Sequence, residues 1–161
     1  MGFKHKIAEP LNQLEAEHEL FLRECAILET MVKKRNGKRN AKLRLTREVT
    51  SIVRRLRASL TNHMSKEEEL LLPIIREHLD QEVMNSFTQE HTRISRTLQE
   101  LHEAATPISG KSESPGLLGI LVTKLDSLLW AHFFREENVL FWYTSLFLSP
   151  REYDMEQPLN K

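Results

Sequence analysis

The sequence predicts an all-α protein that folds as an antiparallel, up-down-up-down four-helix bundle. Apolar residues recur at helical spacing in four long blocks, and no block alternates apolar and polar residues as a strand would. The connections between the blocks are short, which favours antiparallel neighbours. A chain of 161 residues suits one domain, so we assign residues 1–148 to the bundle and residues 149–161 to a polar C-terminal tail.

Breaks in the apolar pattern place the four helices. Asn36-Gly37 separates the first helix from the second, and segments rich in Ser, Pro and Gly separate the third from the fourth. Pro73 falls inside the second pattern and should end or kink that helix near Leu72, with a short turn through His78. These signals put the helices at about residues 11–32, 47–72, 80–105 and 117 onward.

One histidine interrupts the apolar stripe of each helix. With the predicted helix ends, each histidine lies about 14–16 residues from the same end of the bundle, or about 21–24 Å at 1.5 Å per residue. Antiparallel packing would therefore bring four imidazoles to one level in the core, those of His18, His63, His91 and His132.

Two of these histidines precede a glutamate by four residues, as His63-x-x-x-Glu67 and His132-x-x-x-Glu136, which places both groups on one helix face. A carboxylate in an apolar core is destabilising unless a cation compensates it, and no Lys or Arg is predicted to point inward at this level. Four imidazoles and two carboxylates exceed what one tetrahedral zinc needs, and they suit two iron-type ions. The competing interpretation is a hydrogen-bonded polar core without metal.

Four segments carry these residues, and the second and fourth contain H-x-x-x-E-E followed by apolar residues. They are Glu17-His18, Asn62–Pro73, Glu90-His91 and Ala131–Phe141. As an ordered set they resemble the hemerythrin-like, or HHE cation-binding, domains over about residues 8–145. The resemblance implies a bundle that holds a non-haem di-iron centre with an oxo or hydroxo bridge. By position it makes terminal ligands of the four core histidines and bridging ligands of the two glutamates, that is, of His18, His63, His91, His132, Glu67 and Glu136.

Two departures from the oxygen-carrying hemerythrins bear on the expected activity. Those proteins have a further histidine where this chain has Ser95, and their last carboxylate follows its histidine by five residues, whereas Glu136 follows His132 by four. The chain thus resembles the six-ligand members of the family, with an additional open or water-filled coordination position. Redox or sensing chemistry is therefore expected rather than reversible oxygen carriage.

The remaining polar residues near the ligands receive structural interpretations. Glu68, Glu69 and Glu137 should lie on a solvated face, because each step along a helix turns by about 100°. His102 should lie about 16 Å from His91, too far to bind the same ions. His5 and His78 are predicted at the surface, and Cys25 is predicted to be a small core thiol.

The zero net charge hides a split, with +7 over residues 1–60 and −7 over residues 61–161. Lys33–Arg57 contains eleven basic residues and one acid, which indicates either a solvated face or a site for an anionic partner. Specific nucleic-acid binding is not expected, because aromatic residues do not interleave with this segment.

Val139–Leu148 is apolar and uncharged, which indicates a homodimer or protein-partner surface, or contact with the C-terminal tail.

No membrane span is expected, because no stretch reaches about 18 apolar residues. The N-terminus lacks a signal-peptide core and the chain has a single Cys, so we expect a cytoplasmic protein.

The resemblance implies a di-iron protein that binds or reacts with O2, NO or peroxide. An alternative is an iron or oxygen sensor without turnover, whose fold depends on metal and which reports through the basic segment or the aromatic end of the fourth helix. A third hypothesis is release of iron for repair of iron–sulfur centres. Zinc or manganese are the alternative metals.

Overall fold

Four long helices follow one another along the chain. The computed structural model describes residues 9–34, 39–106 and 115–147. The first helix is Glu9–Lys33 and the third is Gln81–Ala105. The second and fourth each consist of an α-helix, a five-residue π-helical turn and a further α-helical piece. These are Arg39–Lys66, Glu67–Leu71 and Leu72–Ile75 in the second, and Pro115–Arg135, Glu136–Leu140 and Phe141–Phe147 in the fourth.

The all-α four-helix architecture is confirmed, and the described residues contain no strand. One end of the bundle shows the alternating direction of the helices, because there the starts of the first and third helices pack with the ends of the second and fourth. The buried residues of this cluster are Leu11, Leu14, Leu71, Ile75, Met84, Phe87, Leu140 and Phe141.

The predicted start of the second helix near Arg47 was wrong, because this helix begins at Arg39. The apolar pattern used to place this helix starts only at Leu45, and the residues before it are mostly basic or polar. Arg and Lys have high helix propensity, so a basic stretch of this kind can be helical without a long apolar stripe.

The layer of polar ligand candidates lies between two apolar clusters. The larger cluster fills the other end of the bundle with residues such as Leu56, Leu98 and Leu125, all of which are fully or almost fully buried. The smaller cluster is the one described above. Apolar packing on both sides therefore isolates the polar layer from bulk water.

The two π-helical turns begin at the two buried glutamates. The backbone N–H of Leu72 donates to the Glu67 carbonyl, and that of Phe141 donates to the Glu136 carbonyl. Such turns widen a helix locally and are frequent at functional sites. Pro73 lies just after the first turn, and its helix ends at Ile75 rather than near Leu72. Trp142 takes the matching place in the fourth helix, which continues to Phe147.

The fourth helix also exposes a series of large apolar side chains: Leu117, Ile120, Trp130, Phe134, Trp142 and Leu146. By length and composition, Gly116–Thr144 is apolar enough to cross a membrane. This is weak evidence for a span, because core helices pass the same test and this one carries buried His132 and Glu136.

Some of the sequence predictions fall on residues that the structure does not describe, namely His5 and the tail 149–161. In the basic segment Lys33–Arg57, every arginine whose side chain is described is exposed, as predicted for a solvated face. These are Arg44, Arg47, Arg54, Arg55 and Arg57.

Candidate metal centre

The structure brings the six predicted ligands together at one level of the bundle. Each long helix contributes one histidine, and the second and fourth also contribute the glutamate one turn later. None of the six residues is more than 4% exposed: His18, His63, Glu67, His91, His132 and Glu136.

The two glutamates lie between two pairs of histidines. Glu67 presents Oε1 to the first pair, 2.6 Å from His63 Nε2 and 3.9 Å from His18 Nε2. It presents Oε2 to the second pair, 3.2 Å from His91 Nε2. One carboxylate therefore faces both pairs through different oxygens.

Glu136 repeats this arrangement from the opposite side. Its Oε2 lies 3.4 Å from His18 Nε2, whereas its Oε1 lies 3.2 Å from His132 Nε2 and 3.9 Å from His91 Nε2. The six residues consequently form two groups of four that share both glutamates. Within each group the candidate ligand atoms lie within 4.8 Å of one another, in His18–His63–Glu67–Glu136 and in Glu67–His91–His132–Glu136.

The outer nitrogen of every histidine contacts a second glutamate on another helix. Each Nδ1–H is positioned to donate to a carboxylate, which leaves the Nε2 lone pair directed at the centre. The Nδ1 to oxygen distances are 2.8 Å for His18–Glu137, 2.7 Å for His63–Glu17, 2.6 Å for His91–Glu68 and 3.0 Å for His132–Glu90.

Glu68 and Glu69 are exposed, as predicted, and Glu137 is partly exposed, but the prediction missed that Glu68 and Glu137 each contact a histidine. Their side chains are 46% and 36% exposed, yet each reaches a histidine on the adjacent helix. The rotation of about 100° per residue describes one helix alone and does not include a neighbour packed at its edge. A signal was present, because Glu-His occurs in the first and third helices and H-x-x-[KR]-E-E in the second and fourth.

Two of the outer carboxylates are themselves held by cations. Lys66 Nζ donates to Glu17 Oε1 at 2.8 Å. Arg135 donates to Glu90 through one guanidinium nitrogen and to Ser86 Oγ through another, at 2.6 Å in the second case. The guanidinium carbon also lies 4.5 Å from the centroid of the Phe87 ring.

The electrostatics of the layer favour protons on imidazole. Burial alone would lower the pKa of His18, but its contacts with Glu136, Glu67 and Glu137 raise that pKa to about 10. The pKa of His91 rises to about 10 in the same way, against burial and through Glu136, Glu67 and Glu68. Burial acts to raise the pKa of Glu67, yet close contacts with His18, His63 and His91 hold that pKa well below its usual value. Without metal, imidazolium charge therefore offsets the buried carboxylates.

Several polar atoms at the centre nevertheless have no hydrogen-bond partner of adequate geometry. Among the buried side-chain atoms of the described residues, these include both oxygens of Glu67 and Glu136 and the Nε2 atoms of His91 and His132. Buried polar atoms are normally paired, and orphaned ones call for an explanation. Oxygen and imidazole donors that converge without partners fit a divalent cation, so the residues present fit a metal site.

Aromatic rings cover the first pair of histidines. Phe133 stacks on His18 with ring centroids 3.9 Å apart and an interplanar angle of 7°. Phe141 lies 5.5 Å from the same imidazole, and Phe21 meets His63 edge-on at 5.2 Å. These rings restrict water at the candidate ligands and limit the rotation of His18.

The other residues considered from sequence lie outside the centre. Cys25 is buried at 1% exposure, which confirms the core thiol, and burial raises its pKa to about 12. His78 is exposed, as predicted. His102 belongs to neither group of candidate ligands, and Ser95 is exposed.

Comparison with known protein families matches residues 9–143 to the hemerythrin HHE cation binding domain. The chain belongs to this family. The match spans all four helices and all six ligand candidates of this HHE domain, and the family together with the donor set supports a divalent metal cation site. No curated protein and no solved structure gives a significant match.

Proposed function

We propose that this HHE-domain protein is a non-haem di-iron protein that binds or reacts with O2, NO or peroxide. The observation that carries the proposal is the placement of Glu67 and Glu136, each of which faces one histidine pair with Oε1 and the other with Oε2. A carboxylate with two directed oxygens can bridge two ions, and two such bridges need two ions.

The donor set supports iron over the alternatives. Each ion position would receive two imidazoles and two carboxylate oxygens, a mixture that suits five- or six-coordinate iron. Structural zinc sites are usually closed and tetrahedral, and they rarely share two carboxylates. When bound, an iron pair supplies two electrons and an exchangeable coordination position for a small oxidant.

The chain's own residues bind, orient and shield such a pair. The Nε2 atoms of the four histidines, one on each helix, would bind the ions. Each Nδ1–H would keep its hydrogen bond to an outer carboxylate. The rings of Phe133 and Phe87, and Leu60 between the helices, are each at most 2% exposed and exclude bulk water. The protein would thereby admit small ligands and keep larger reductants away.

Anaerobic titration with Fe(II), followed by exposure to O2, NO or peroxide, tests the proposal. We expect about two iron ions per chain and a visible absorption spectrum that changes with each reagent. His63→Ala should reduce the iron content, whereas His78→Ala, at an exposed position outside the centre, should leave it unchanged. Iron well below two per chain with no spectral change would overturn the proposal, as would saturation by a single zinc ion in a parallel titration.

A second candidate function is a metal-dependent sensor without turnover, and one observation favours it. Trp130 and Phe134 are 60% and 55% exposed and stack on each other at 5.5 Å, on the helix that carries His132 and Glu136. Exposed apolar clusters often mark partner surfaces. A loss of helicity on chelation, a changed sedimentation coefficient and no consumption of oxidant would favour this function over the first.

A further inference from the structure

The hydrogen bonds outside the candidate ligands follow a two-fold pattern. The hairpin of the first and second helices and the hairpin of the third and fourth carry the same motifs, Glu-His and then H-x-x-[KR]-E-E. Within each hairpin, the glutamate that precedes one histidine accepts from the other histidine, in Glu17–His63 and in Glu90–His132. Matching residues of the two hairpins thus make matching contacts.

Two further bonds cross between the hairpins. Glu68 of the second helix accepts from His91 of the third, and Glu137 of the fourth accepts from His18 of the first. The four bonds form a closed ring that links each helix to the next. Every imidazole is therefore oriented by a different helix from the one that carries it.

The bonds within the hairpins are better anchored than those between them. Glu90 is 19% exposed and held by Arg135, and Glu17 is 22% exposed and held by Lys66. Glu68 and Glu137 are 46% and 36% exposed. Among the described residues, no Lys or Arg is found in contact with these two side chains. A hydrogen bond is electrostatically stronger where water is excluded, and a carboxylate anchored by a cation has less freedom to move away, so the four carboxylates differ in how firmly they hold their histidines.

We propose that Glu17, Glu68, Glu90 and Glu137 are positioning residues that set the metal affinity of the centre, with Glu90 and Glu17 contributing most. The inference rests on the proposed metal-binding function and adds to it the residues that tune the affinity. Each carboxylate fixes the tautomer and ring plane of one histidine and raises the basicity of its Nε2. Arg135 acts one step further out, because it holds Glu90 in place against Ser86 and Phe87.

The test uses Co(II) as the probe and the 161-residue chain. Glu90→Ala and Glu17→Ala should weaken Co(II) binding about 10- to 100-fold, the usual effect of removing the carboxylate partner of a ligating histidine. Glu68→Ala and Glu137→Ala should weaken it by less than about tenfold, since their exposed bonds are weaker. Glu→Gln at each position should recover part of the loss, because the amide oxygen still accepts from Nδ1–H. Glu69→Gln, at an exposed neighbour, is the matched control.

A spectroscopic readout separates positioning from general damage to the fold. In the Co(II)-loaded protein, each Nδ1–H should give an exchangeable, strongly shifted proton resonance, and each variant should move or remove the resonance of one histidine. Arg135→Gln keeps the Glu90 side chain but removes the guanidinium that anchors it, and this variant should alter only the His132 resonance. Metal-free variants should keep the helical circular dichroism of the wild type.

Three outcomes decide the inference. Affinity losses in the stated order, together with selective resonance changes, support it. Affinities within about twofold of the wild type for all four alanine variants, with unchanged resonances, overturn it while leaving the proposed function standing. Failure of the wild-type protein to bind Co(II) overturns both.

Discussion

Replacing Glu67 with Gln should remove most of the stability that metal confers on this protein, whereas replacing His63 with Ala should remove about half. Glu67 belongs to both groups of candidate ligands, so its loss weakens both ion positions. His63 belongs to one group only. Glu69→Gln, at an exposed site two residues further on, should change nothing.

The magnitude follows from linkage between binding and folding. A ligand at a hundred times its dissociation constant stabilises the folded state by about 2.7 kcal/mol, so two ions that each contribute this amount add about 5 kcal/mol. In a domain of this size, 1 kcal/mol corresponds to about 2–4 °C in melting temperature, which makes the total about 10–20 °C. In His63→Ala, the one ion that still binds should stabilise the folded state by about 2.7 kcal/mol.

The assay is urea unfolding under anaerobic conditions, followed by circular dichroism, with and without Fe(II). The quantity compared is the difference between loaded and metal-free protein for each variant, so any effect of a substitution on the metal-free fold cancels. If Fe(II) raises the free energy of unfolding of Glu67→Gln as much as that of the wild type, the shared role of this carboxylate is refuted. If Fe(II) stabilises the wild type by only about 2.7 kcal/mol, the value for one ion, and the iron stoichiometry is one per chain, the paired centre is refuted.

Three further predictions concern the surrounding fold. Because burial raises the pKa of Cys25 to about 12, its thiol should resist Ellman's reagent at pH 8 in the folded protein and react on unfolding. Phe133→Ala should lower the free energy of unfolding by about 3–5 kcal/mol, measured in urea without metal, because it removes a buried ring that stacks on His18; a loss under about 1 kcal/mol would contradict this. Burial and the nearby Glu29 raise the pKa of Asp126, so its ionised form is disfavoured in the folded state. Asp126→Asn should therefore stabilise the protein at pH 7, and the gain should disappear as the pH falls below the unfolded value of 3.8; an equal gain at all pH values would contradict the assignment.

The metal-free electrostatics revise one expectation drawn from the sequence. From the sequence alone, Glu67 and Glu136 lack any compensating charge without a cation, since no Lys or Arg is predicted to point inward at their level. The structure supplies compensation from the ligands themselves, because contacts with carboxylates keep His18 and His91 protonated, with pKa values of about 10. A folded metal-free state is consequently more accessible than the sequence indicated.

The sequence by itself determined the number of helices and the inward face of each. Helical periodicity is local, so the four-residue spacing from His63 to Glu67 and from His132 to Glu136 was enough to place each pair on one buried face. The same motifs were sufficient to recognise the family. The start of the second helix was missed because its first turns are mostly basic or polar and contain few apolar residues.

Only the tertiary structure decided how the helices meet around the centre. The bond from His18 to Glu137 joins residues 119 positions apart, and that from His91 to Glu68 joins residues 23 apart. Such contacts depend on the axial offset of neighbouring helices and on the π-helical turns that start at the two glutamates, none of which is encoded in the spacing within a single helix. Periodicity determines the direction of a side chain around its own helix axis, but packing determines which neighbouring group it reaches.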